Sequence, residues 1–336
     1  CLGLGQGQTV TPVSARSSRW TLLFFGCALG NFIVAQALCV AGLSWPEQPL
    51  LSGGTLTVVH LATLGWLSLL MFGELFQFVP VITGQALPGQ WPGLATLLVI
   101  ESGLLAMIAG FYGWFAGHAG QARALAYGGG WVLIGAFSGG IVLWRPLLRS
   151  PESTLAGRLV QAGLLFLIAT ILLGVGLALV FTVPALAVPL APLAASGRSV
   201  HLLAGLGGWF TLTAVGVSYK LLPMFMLAPE ERGWIGNCVL WLGSAGCALL
   251  IVAGVAGLWF PGRRPQGIAA LGSLLAVAAL IIYLVDVVRL YRGRRRARLE
   301  LHNRAATGAF ASLAIALLWW VLARATGHMD AQAPAL

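Results

Sequence analysis

Two histidines stand inside apolar segments that are long enough to cross a bilayer, and histidine in that setting indicates metal chemistry. His60 lies in VVHLATLGW and His201 lies in SVHLLAGLGGW, each within the first two turns of its segment. An ionisable side chain inside a bilayer is costly unless it faces protein, water or a metal. Neutral imidazole is a good ligand for iron, copper and zinc. We therefore predict that His60 and His201 hold a metal or a haem; the alternative is that each hydrogen-bonds to a neighbouring helix.

A second group of ionisable residues lies in the same kind of segment, further from the histidine end. Glu74, Glu101 and Lys220 fall within about two turns of each other in depth, accompanied by Gln77 and Tyr219. Charged groups at this depth are expected to face the bundle interior. Two interpretations stay open: a buried ion pair between Lys220 and one of the carboxylates, or a polar route that takes protons from the cytoplasm toward a reaction centre.

The elements that must position these residues are transmembrane helices. The chain is 59% hydrophobic and 8% charged over 336 residues, whereas a soluble domain is about a quarter charged. Nine apolar runs are long enough to cross a hydrocarbon core of roughly 30 Å. They cover residues 21–43, 56–82, 93–117, 122–144, 157–182, 198–226, 234–260, 267–290 and 306–325. Their glycine and alanine content suits close helix packing, so we predict an all-α polytopic membrane bundle of about nine helices and not a membrane β-barrel.

Basic residues set the predicted orientation, because positive charges in short loops stay on the cytoplasmic side. With the N-terminus inside, 14 of the 19 lysines and arginines fall on the cytoplasmic side. The five on the opposite side are Arg123, Arg198, Arg263, Arg264 and Arg324. We expect a bacterial inner-membrane protein with a cytoplasmic N-terminus and an outer C-terminus. The net charge of +10 then reflects this topology or contact with anionic lipid, and we expect no nucleic acid partner.

This topology places two further histidines on the same outer side as the first two. His118 lies at the outer end of the third helix, and His328 lies just past the outer end of the ninth. Both are weaker candidates for metal ligands because they stand in loops. The fifth histidine, His302, lies in the basic cytoplasmic loop and is expected to be solvated. The four outer histidines together predict a haem site, a copper site or both.

The five cysteines exclude one class of haem protein. They form no CxxC or CxxCH pattern, so neither a thiolate metal knuckle nor covalent c-type haem attachment is encoded. The chain opens with Cys1 and not with methionine, and we expect it to be a piece of a longer protein.

The second and sixth helices carry an internal repeat. LGWLSLLMFGELFQFVPV, residues Leu64 to Val81, aligns with GGWFTLTAVGVSYKLLPM, residues Gly207 to Met224, at a constant offset of 143. The identical pairs are Gly65/Gly208, Trp66/Trp209, Leu69/Leu212, Gly73/Gly216 and Pro80/Pro223. Chance recurrence of glycine and tryptophan in apolar helices is the alternative. We favour a parallel 4+4 repeat, in which a four-helix unit is used twice and a ninth helix is added.

The repeat predicts the domain organisation. The expected units are a cytoplasmic tail at 1–20, a first four-helix repeat at 21–144, a cytoplasmic linker at 145–156, a second four-helix repeat at 157–290, a basic cytoplasmic loop at 291–305, and the ninth helix with an outer C-terminal tail at 306–336. His60 and His201 are 141 residues apart, so they are not equivalent within the repeat. Two helices packed across a cofactor do not need that equivalence to ligate it from both faces.

These features resemble the haem-copper oxidase subunit I superfamily. In that family a histidine near the outer start of the second helix is a low-spin haem ligand, and His60 in VVHLATLGW matches it by position. The family's sixth helix carries a copper-ligand histidine near the same face, where this chain has His201 in SVHLLAGLGGW. The segment HLATLGWLSLLMFGELFQFVPVITG is also similar to the haem- and copper-containing membrane proteins of the nitric oxide response. The resemblance covers mainly helices two and six.

The chain departs from the oxidase pattern in its histidines. That pattern needs six, including a double histidine next to the copper, and this chain has five with no HH pair and no segment like HPEVY. The resemblance therefore implies a b-type haem held by His60 and His201, or a reduced haem or copper site, and not a complete oxygen-reducing centre. Trp66 and Trp209, about two turns inside the histidines, are expected to flank the macrocycle or to serve as packing residues.

Three functions stay open. The first is a haem-binding, respiratory-type membrane protein that acts in electron transfer or in nitric oxide or oxygen redox chemistry, alongside other respiratory or cytochrome subunits. The second is a transporter or metal permease in which Glu74, Glu101 and Lys220 bind the cargo or couple protons. The third is a non-catalytic assembly or anchoring subunit, in which His60 is replaceable without loss of a cofactor.

Overall fold

Nine apolar helical spans form the bundle in the part of the chain that the structure describes. The computed structural model describes residues 15–89, 91–115, 119–150, 154–229, 233–260, 265–296, 298 and 300–326. Spans 1 to 9 are Ala15–Val40, Gly53–Thr83, Trp91–Phe115, Ala119–Arg149, Leu155–Thr182, Ala191–Met226, Trp234–Trp259, Gln266–Arg292 and Leu301–Ala325. The predicted all-α polytopic class is confirmed, and the apolar outer surface of these helices indicates a lipid bilayer environment.

The helices end later than predicted at the two basic connections. The predicted linker at 145–156 begins in helix, because span 4 continues to Arg149. The predicted loop at 291–305 likewise begins in helix, because span 8 continues to Arg292. Arginine is a good helix former, so a loss of apolarity marks where a span leaves the hydrocarbon but not where its helix ends.

Spans 2 and 6 share a three-part build. Span 2 consists of an α-helical segment, Gly53–His60, a π-helical segment, Leu61–Ser68, and a second α-helical segment, Leu69–Thr83. Span 6 consists of α-helical Ala191–Leu202, π-helical Leu203–Phe210 and α-helical Thr211–Met226. π-Helical turns are rare in proteins, and those that do occur are often found at functional sites. The repeat seen in the sequence is therefore matched by a repeated backbone irregularity.

The same two spans also end alike. Pro80 and Pro223 each stand four residues before the residue that closes the helix, and the N–H of that residue donates to the proline carbonyl. The closing residues, Gly84 and Leu227, are left-handed, with φ of 63° and 53°. Glycine adopts this conformation at no steric cost, whereas it costs other residues about 1–2 kcal/mol. The offset of 143 therefore extends to the ends of both helices.

The repeated glycines let each of these spans pack closely against the helix before it. A Cβ on Gly65 of span 2 would lie 2.9 Å from Cβ of Asn31 in span 1. A Cβ on Gly208 of span 6 would lie 2.4 Å from Cγ of Phe166 in span 5. A larger residue at either position would force the two helices apart, so the repeat preserves glycine where the backbones approach most closely.

A second repeated contact joins spans 3 and 4, and spans 7 and 8. A Cβ on Gly103 of span 3 would lie 2.9 Å from the carbonyl oxygen of Gly128 in span 4, and a Cβ on Gly246 of span 7 would lie 2.9 Å from that of Gly272 in span 8. Gly103 and Gly246 are 143 residues apart, and Gly128 and Gly272 are 144 residues apart. Such contacts are typical of tightly packed membrane helices. Two copies of one four-helix unit would give this arrangement.

Span 9 packs at the edge of the bundle and is held through its first turns. The carbonyl oxygen of Asn303 accepts hydrogen bonds from the hydroxyls of Tyr291, at 3.0 Å, and Thr307, at 2.9 Å. The apolar stretch of span 9 is otherwise exposed at the bundle surface. The start of span 9 thereby closes one end of a cavity between spans 2 and 6.

Candidate functional site

His60 ends the first α-helical segment of span 2, and its ring is fixed from two sides. Its Nδ1 lies 2.8 Å from the carbonyl oxygen of Leu56, one turn earlier in the same helix. The ring centroid lies 4.9 Å from that of Phe111 in span 3. Because a carbonyl oxygen can only accept, Nδ1 carries the hydrogen, and Nε2 of the neutral ring keeps its lone pair.

His201 lies at the corresponding level of span 6 and is fixed by span 5. Its Nδ1 lies 2.8 Å from the carbonyl oxygen of Thr170 in that span. Gly174, one turn further along span 5, leaves room for the ring, since a Cβ there would lie 3.0 Å from Cε1 of His201. Nδ1 is again the donor, so His201 also presents the lone pair of Nε2.

The structure places these two predicted ligands on neighbouring spans. Ser68 and Trp209, each eight residues after its histidine, are joined by a hydrogen bond of 3.2 Å, so His60 and His201 lie at similar levels of two spans that contact each other. The sequence places them two residues out of register within the repeat. The two rings are also held differently. His60 is hydrogen-bonded to its own helix, whereas His201 is hydrogen-bonded to the neighbouring span.

A π-helical segment follows each histidine, and the sequence analysis did not predict it. In span 2 it begins directly after His60, and in span 6 it begins two residues after His201. The available signal was the glycine-containing sequence of both segments, LATLGWLS and LAGLGGWF. Glycine weakens an α-helix and permits the close approach that this region makes to spans 1 and 5. The recurrence beside both histidines marks this level of the bundle as the candidate site.

Two imidazoles with free Nε2 lone pairs are a donor set that could hold a haem. Among the described residues, no three histidine, cysteine, aspartate or glutamate side chains gather to hold a metal ion. Zinc sites take three or four protein ligands and blue-copper sites at least three, whereas a porphyrin supplies four nitrogens and leaves the protein only the axial positions. His60 and His201 are suited to those positions, because a hydrogen bond at Nδ1 fixes the ring and raises the basicity of Nε2.

The other histidines do not extend this site in the part of the chain that the structure describes. His118 and His328, predicted as weaker metal ligands, lie outside the described residues. His302 lies in the first turn of span 9, edge-on to Phe225 with ring centroids 4.6 Å apart. Its side chain is 46% exposed, in keeping with the solvated role expected from its place beside the basic loop.

The two repeated tryptophans make packing contacts. The Trp66 ring centroid lies 4.3 Å from that of Phe32 in span 1. Trp209 is 1% exposed and donates from Nε1 to the hydroxyl of Ser68 at 3.2 Å, which ties span 6 to span 2. Its ring also lies 5.7 Å from that of Phe72. These contacts favour the packing interpretation of both residues, and a place beside a macrocycle stays a prediction.

Glu101 takes its hydrogen bonds from an asparagine. The side-chain amide of Asn31 in span 1 lies 3.2 and 3.1 Å from the two carboxylate oxygens of Glu101. The same amide nitrogen lies 3.1 Å from the carbonyl oxygen of Gly65, inside the π-helical segment of span 2. Asn31 therefore links spans 1, 2 and 3 close to the candidate site. The sequence does carry a signal for this residue, because an asparagine in the middle of an apolar span is costly unless it is hydrogen-bonded, but Asn31 is not among the predicted site residues.

Glu74 lies in a different environment from Glu101. It lines a cavity of about 490 Å³ between spans 2, 6 and 9, and the described lining of that cavity includes neither Glu101 nor Lys220. The predicted companion Tyr219 is buried edge-on to Tyr283, with ring centroids 5.6 Å apart. The structure thus divides the two carboxylates between separate surroundings, and a proton route or ion pair that includes Lys220 stays a prediction.

Comparison with known proteins assigns no family. No family model matches this chain, and no curated protein matches it. The function proposed below therefore depends on the arrangement of His60 and His201 in the bundle.

Proposed function

We propose that this chain is a haem-binding membrane protein in which His60 and His201 are the axial ligands of a b-type haem. The observation that supports this most strongly is the shared state of the two imidazoles. Each is fixed by an Nδ1 hydrogen bond to a backbone carbonyl, each keeps a lone pair on Nε2, and the spans that carry them are joined by the Trp209–Ser68 hydrogen bond, eight residues beyond each histidine. Kinship with the haem-copper oxidase subunit I superfamily is part of the proposal.

The chain's own residues would set the ligand chemistry. The carbonyl oxygens of Leu56 and Thr170 hold the hydrogen on Nδ1 of each histidine and so keep Nε2 unprotonated. The Phe111 ring packs at a tilt against that of His60, and Gly174 leaves space beside that of His201. A haem bound in this way supplies reversible one-electron chemistry, and its potential depends on axial ligands, burial and hydrogen bonding.

The proposed role is electron transfer within a respiratory-type membrane system. A haem held by both His60 and His201 would have both of its protein ligand positions filled, and it would supply electron transfer more readily than oxygen activation. Oxygen or nitric oxide chemistry would need a further metal, for which His118 and His328 are the remaining histidine candidates. Other respiratory or cytochrome subunits are the partners that this role calls for.

The proposed setting is a bacterial inner membrane with the N-terminus in the cytoplasm and the C-terminus outside. The excess of lysine and arginine on one side, 14 of 19, supports this orientation. Fusions at the C-terminus test it: alkaline phosphatase would be active there, and green fluorescent protein would remain dark. The opposite pattern would reverse the orientation.

Visible spectroscopy tests the haem proposal. The native chain, purified in detergent, is expected to show reduced-minus-oxidised haem bands and a b-type pyridine haemochrome. His60→Ala and His201→Ala are each expected to lose most of the haem, whereas His302→Ala keeps it, since that residue lies in the first turn of span 9. Copper analysis of the same samples tests for a second metal. A colourless native protein would contradict the proposal.

A permease is the second candidate function, and the cavity that contains Glu74 is the observation that favours it. A carboxylate in a cavity among membrane spans is a common feature of cargo or proton binding. Uptake in vesicles that depends on Glu74, from a protein without haem, would establish this alternative. An assembly or anchoring subunit is the third candidate, and it predicts that neither His60 nor Glu74 affects any bound cofactor or cargo.

A further inference from the structure

The cavity between spans 2, 6 and 9 has the size of a binding site for a small molecule. Its volume is about 490 Å³, within the range of roughly 300–1,000 Å³ that is usual for small-molecule sites. Its walls are mostly leucine, phenylalanine and methionine side chains. The exposed side chain of Glu74 in this lining shows that the cavity opens on the outer surface of the bundle, where lipid would lie.

Glu74 is the acidic residue of the cavity, and no counter-charge meets its carboxylate within the part of the chain that the structure describes. Among the described residues it takes part in no hydrogen bond and no ion pair. A carboxylate in an apolar setting is costly unless a cation or a hydrogen-bond donor meets it. The position therefore favours a ligand that brings positive charge.

Asn303, at the start of span 9, provides a second observation in the same cavity. The residue lines the cavity and is 1% exposed, yet neither Nδ2 nor Oδ1 of its side chain has a hydrogen-bond partner. Its backbone is held in place, because its carbonyl oxygen accepts from the hydroxyls of Tyr291 and Thr307. A buried amide without partners is rare in native proteins and indicates a missing polar group.

The walls are suited to a bulky organic cation. Phe210, Phe225 and Phe310 line the cavity together with Met71. Aromatic faces attract cations, and the soft methionine side chain adapts to varied shapes. His302 also lines the cavity, but its Nδ1 lies 3.5 Å from a carboxylate oxygen of Glu300. A positive charge on this ring would therefore pair with Glu300 and not with Glu74.

We propose that this cavity binds lipophilic organic cations, with Glu74 as the counter-charge and the phenylalanine rings as the walls. A phospholipid fits less well, because its phosphate would be repelled by Glu74 and an acyl chain would bring no positive charge to it. The unpartnered amide of Asn303 calls for a hydrogen-bonding group on the natural cation, whereas the probes used below test its charge alone. The proposal concerns binding alone and is independent of the haem site, since none of the cavity residues holds His60 or His201.

The test uses two probes of the same shape and opposite charge. The full chain in lipid nanodiscs is titrated by equilibrium dialysis with tetraphenylphosphonium, a cation, and with tetraphenylborate, an anion. We expect saturable binding of the cation at one per chain and no saturable binding of the anion. Glu74→Gln is expected to weaken cation binding at least tenfold, whereas the control Glu47→Gln, an exposed carboxylate in the loop between spans 1 and 2, changes it less than twofold.

A second pair of variants decides the matter if Glu74→Gln does not fold. Phe310→Leu removes an aromatic wall and is expected to weaken cation binding about threefold, whereas Phe137→Leu, on the exposed surface of span 4, leaves it unchanged. Circular dichroism of each variant verifies the fold. Equal binding of both probes, or equal affinity of the native protein and a folded Glu74→Gln variant, would overturn the proposal; so would equal affinity of the two phenylalanine variants.

Discussion

Replacing Asn31 with leucine removes the contact that links spans 1, 2 and 3. The Asn31 amide lies within hydrogen-bonding distance of both carboxylate oxygens of Glu101 and of the carbonyl oxygen of Gly65, at 3.1 to 3.2 Å. Leucine branches at the same atom as asparagine but donates no hydrogen bond. Glu101 would keep its half-buried position without its donor, and the π-helical segment after His60 would lose its tie to span 1.

The expected loss of stability is about 2–4 kcal/mol. An interhelical hydrogen bond of neutral groups in a membrane protein contributes about 0.6 kcal/mol, which accounts for the bond to Gly65. Leaving an acceptor such as the Glu101 carboxylate without its donor costs about 1–3 kcal/mol, and more when the group is charged. The carboxylate therefore accounts for most of the effect.

A double-mutant cycle measures this contact. The free energies of unfolding of the native protein, Asn31→Leu, Glu101→Leu and the double variant are compared by denaturation in mixed micelles, followed by circular dichroism. Removing the carboxylate as well should relieve the cost of Asn31→Leu, so the double variant is expected to be about 1–3 kcal/mol more stable than the sum of the single losses.

Ser102→Ala is the matched control for this cycle. Ser102 neighbours Glu101, but its exposed hydroxyl donates to the carbonyl of Val99 in its own helix at 3.1 Å, so its loss should change stability by less than about 0.5 kcal/mol. If the stability losses of Asn31→Leu and Glu101→Leu add to that of the double variant within about 0.5 kcal/mol, the two side chains do not stabilise each other.

Three further predictions concern the helices that hold the histidines. Gly174→Val is expected to lower haem content with the fold intact, because its side chain would collide with the ring of His201; unchanged haem bands and circular dichroism would contradict this. Trp209→Phe is expected to destabilise the protein by about 1–2 kcal/mol in thermal unfolding, since it leaves Ser68 without its donor, and a neutral effect would show that this bond does not tie the spans. Leu227→Gly is expected to stabilise by about 1 kcal/mol, because glycine adopts a φ of 53° at no steric cost; a loss of stability in the same assay would mean that the Leu227 side chain contributes more than the strain.

The number of spans follows from the sequence, because each apolar run marks one span. The depth of a residue in the membrane follows from its position along that run. The nine runs, the pairing of His60 with His201 in depth, and the repeated glycines all depend on position along the chain. The structure places the repeated glycines at helix contacts, as expected for residues that allow close approach. These features could be predicted because they depend only on the position of a residue along its helix.

The direction in which each side chain faces could not be predicted in this way. Glu101 meets Asn31, 70 residues away, because spans 1 and 3 turn those faces toward each other. The π-helical segments add to this difficulty, since they rotate all later side chains of spans 2 and 6 relative to a regular α-helix. Asn303 presents the same problem, because its importance depends on a cavity that three separate spans create.

Electron paramagnetic resonance of the oxidised protein tests the central claim most directly, because it reports the axial ligands of the iron. The native protein is expected to give a low-spin ferric signal typical of two imidazole ligands. His60→Ala and His201→Ala should each convert any haem that remains to a high-spin signal, and added imidazole should restore the low-spin form. A native protein with no haem iron signal, or a low-spin signal that survives both substitutions, would contradict the assignment of His60 and His201 as ligands.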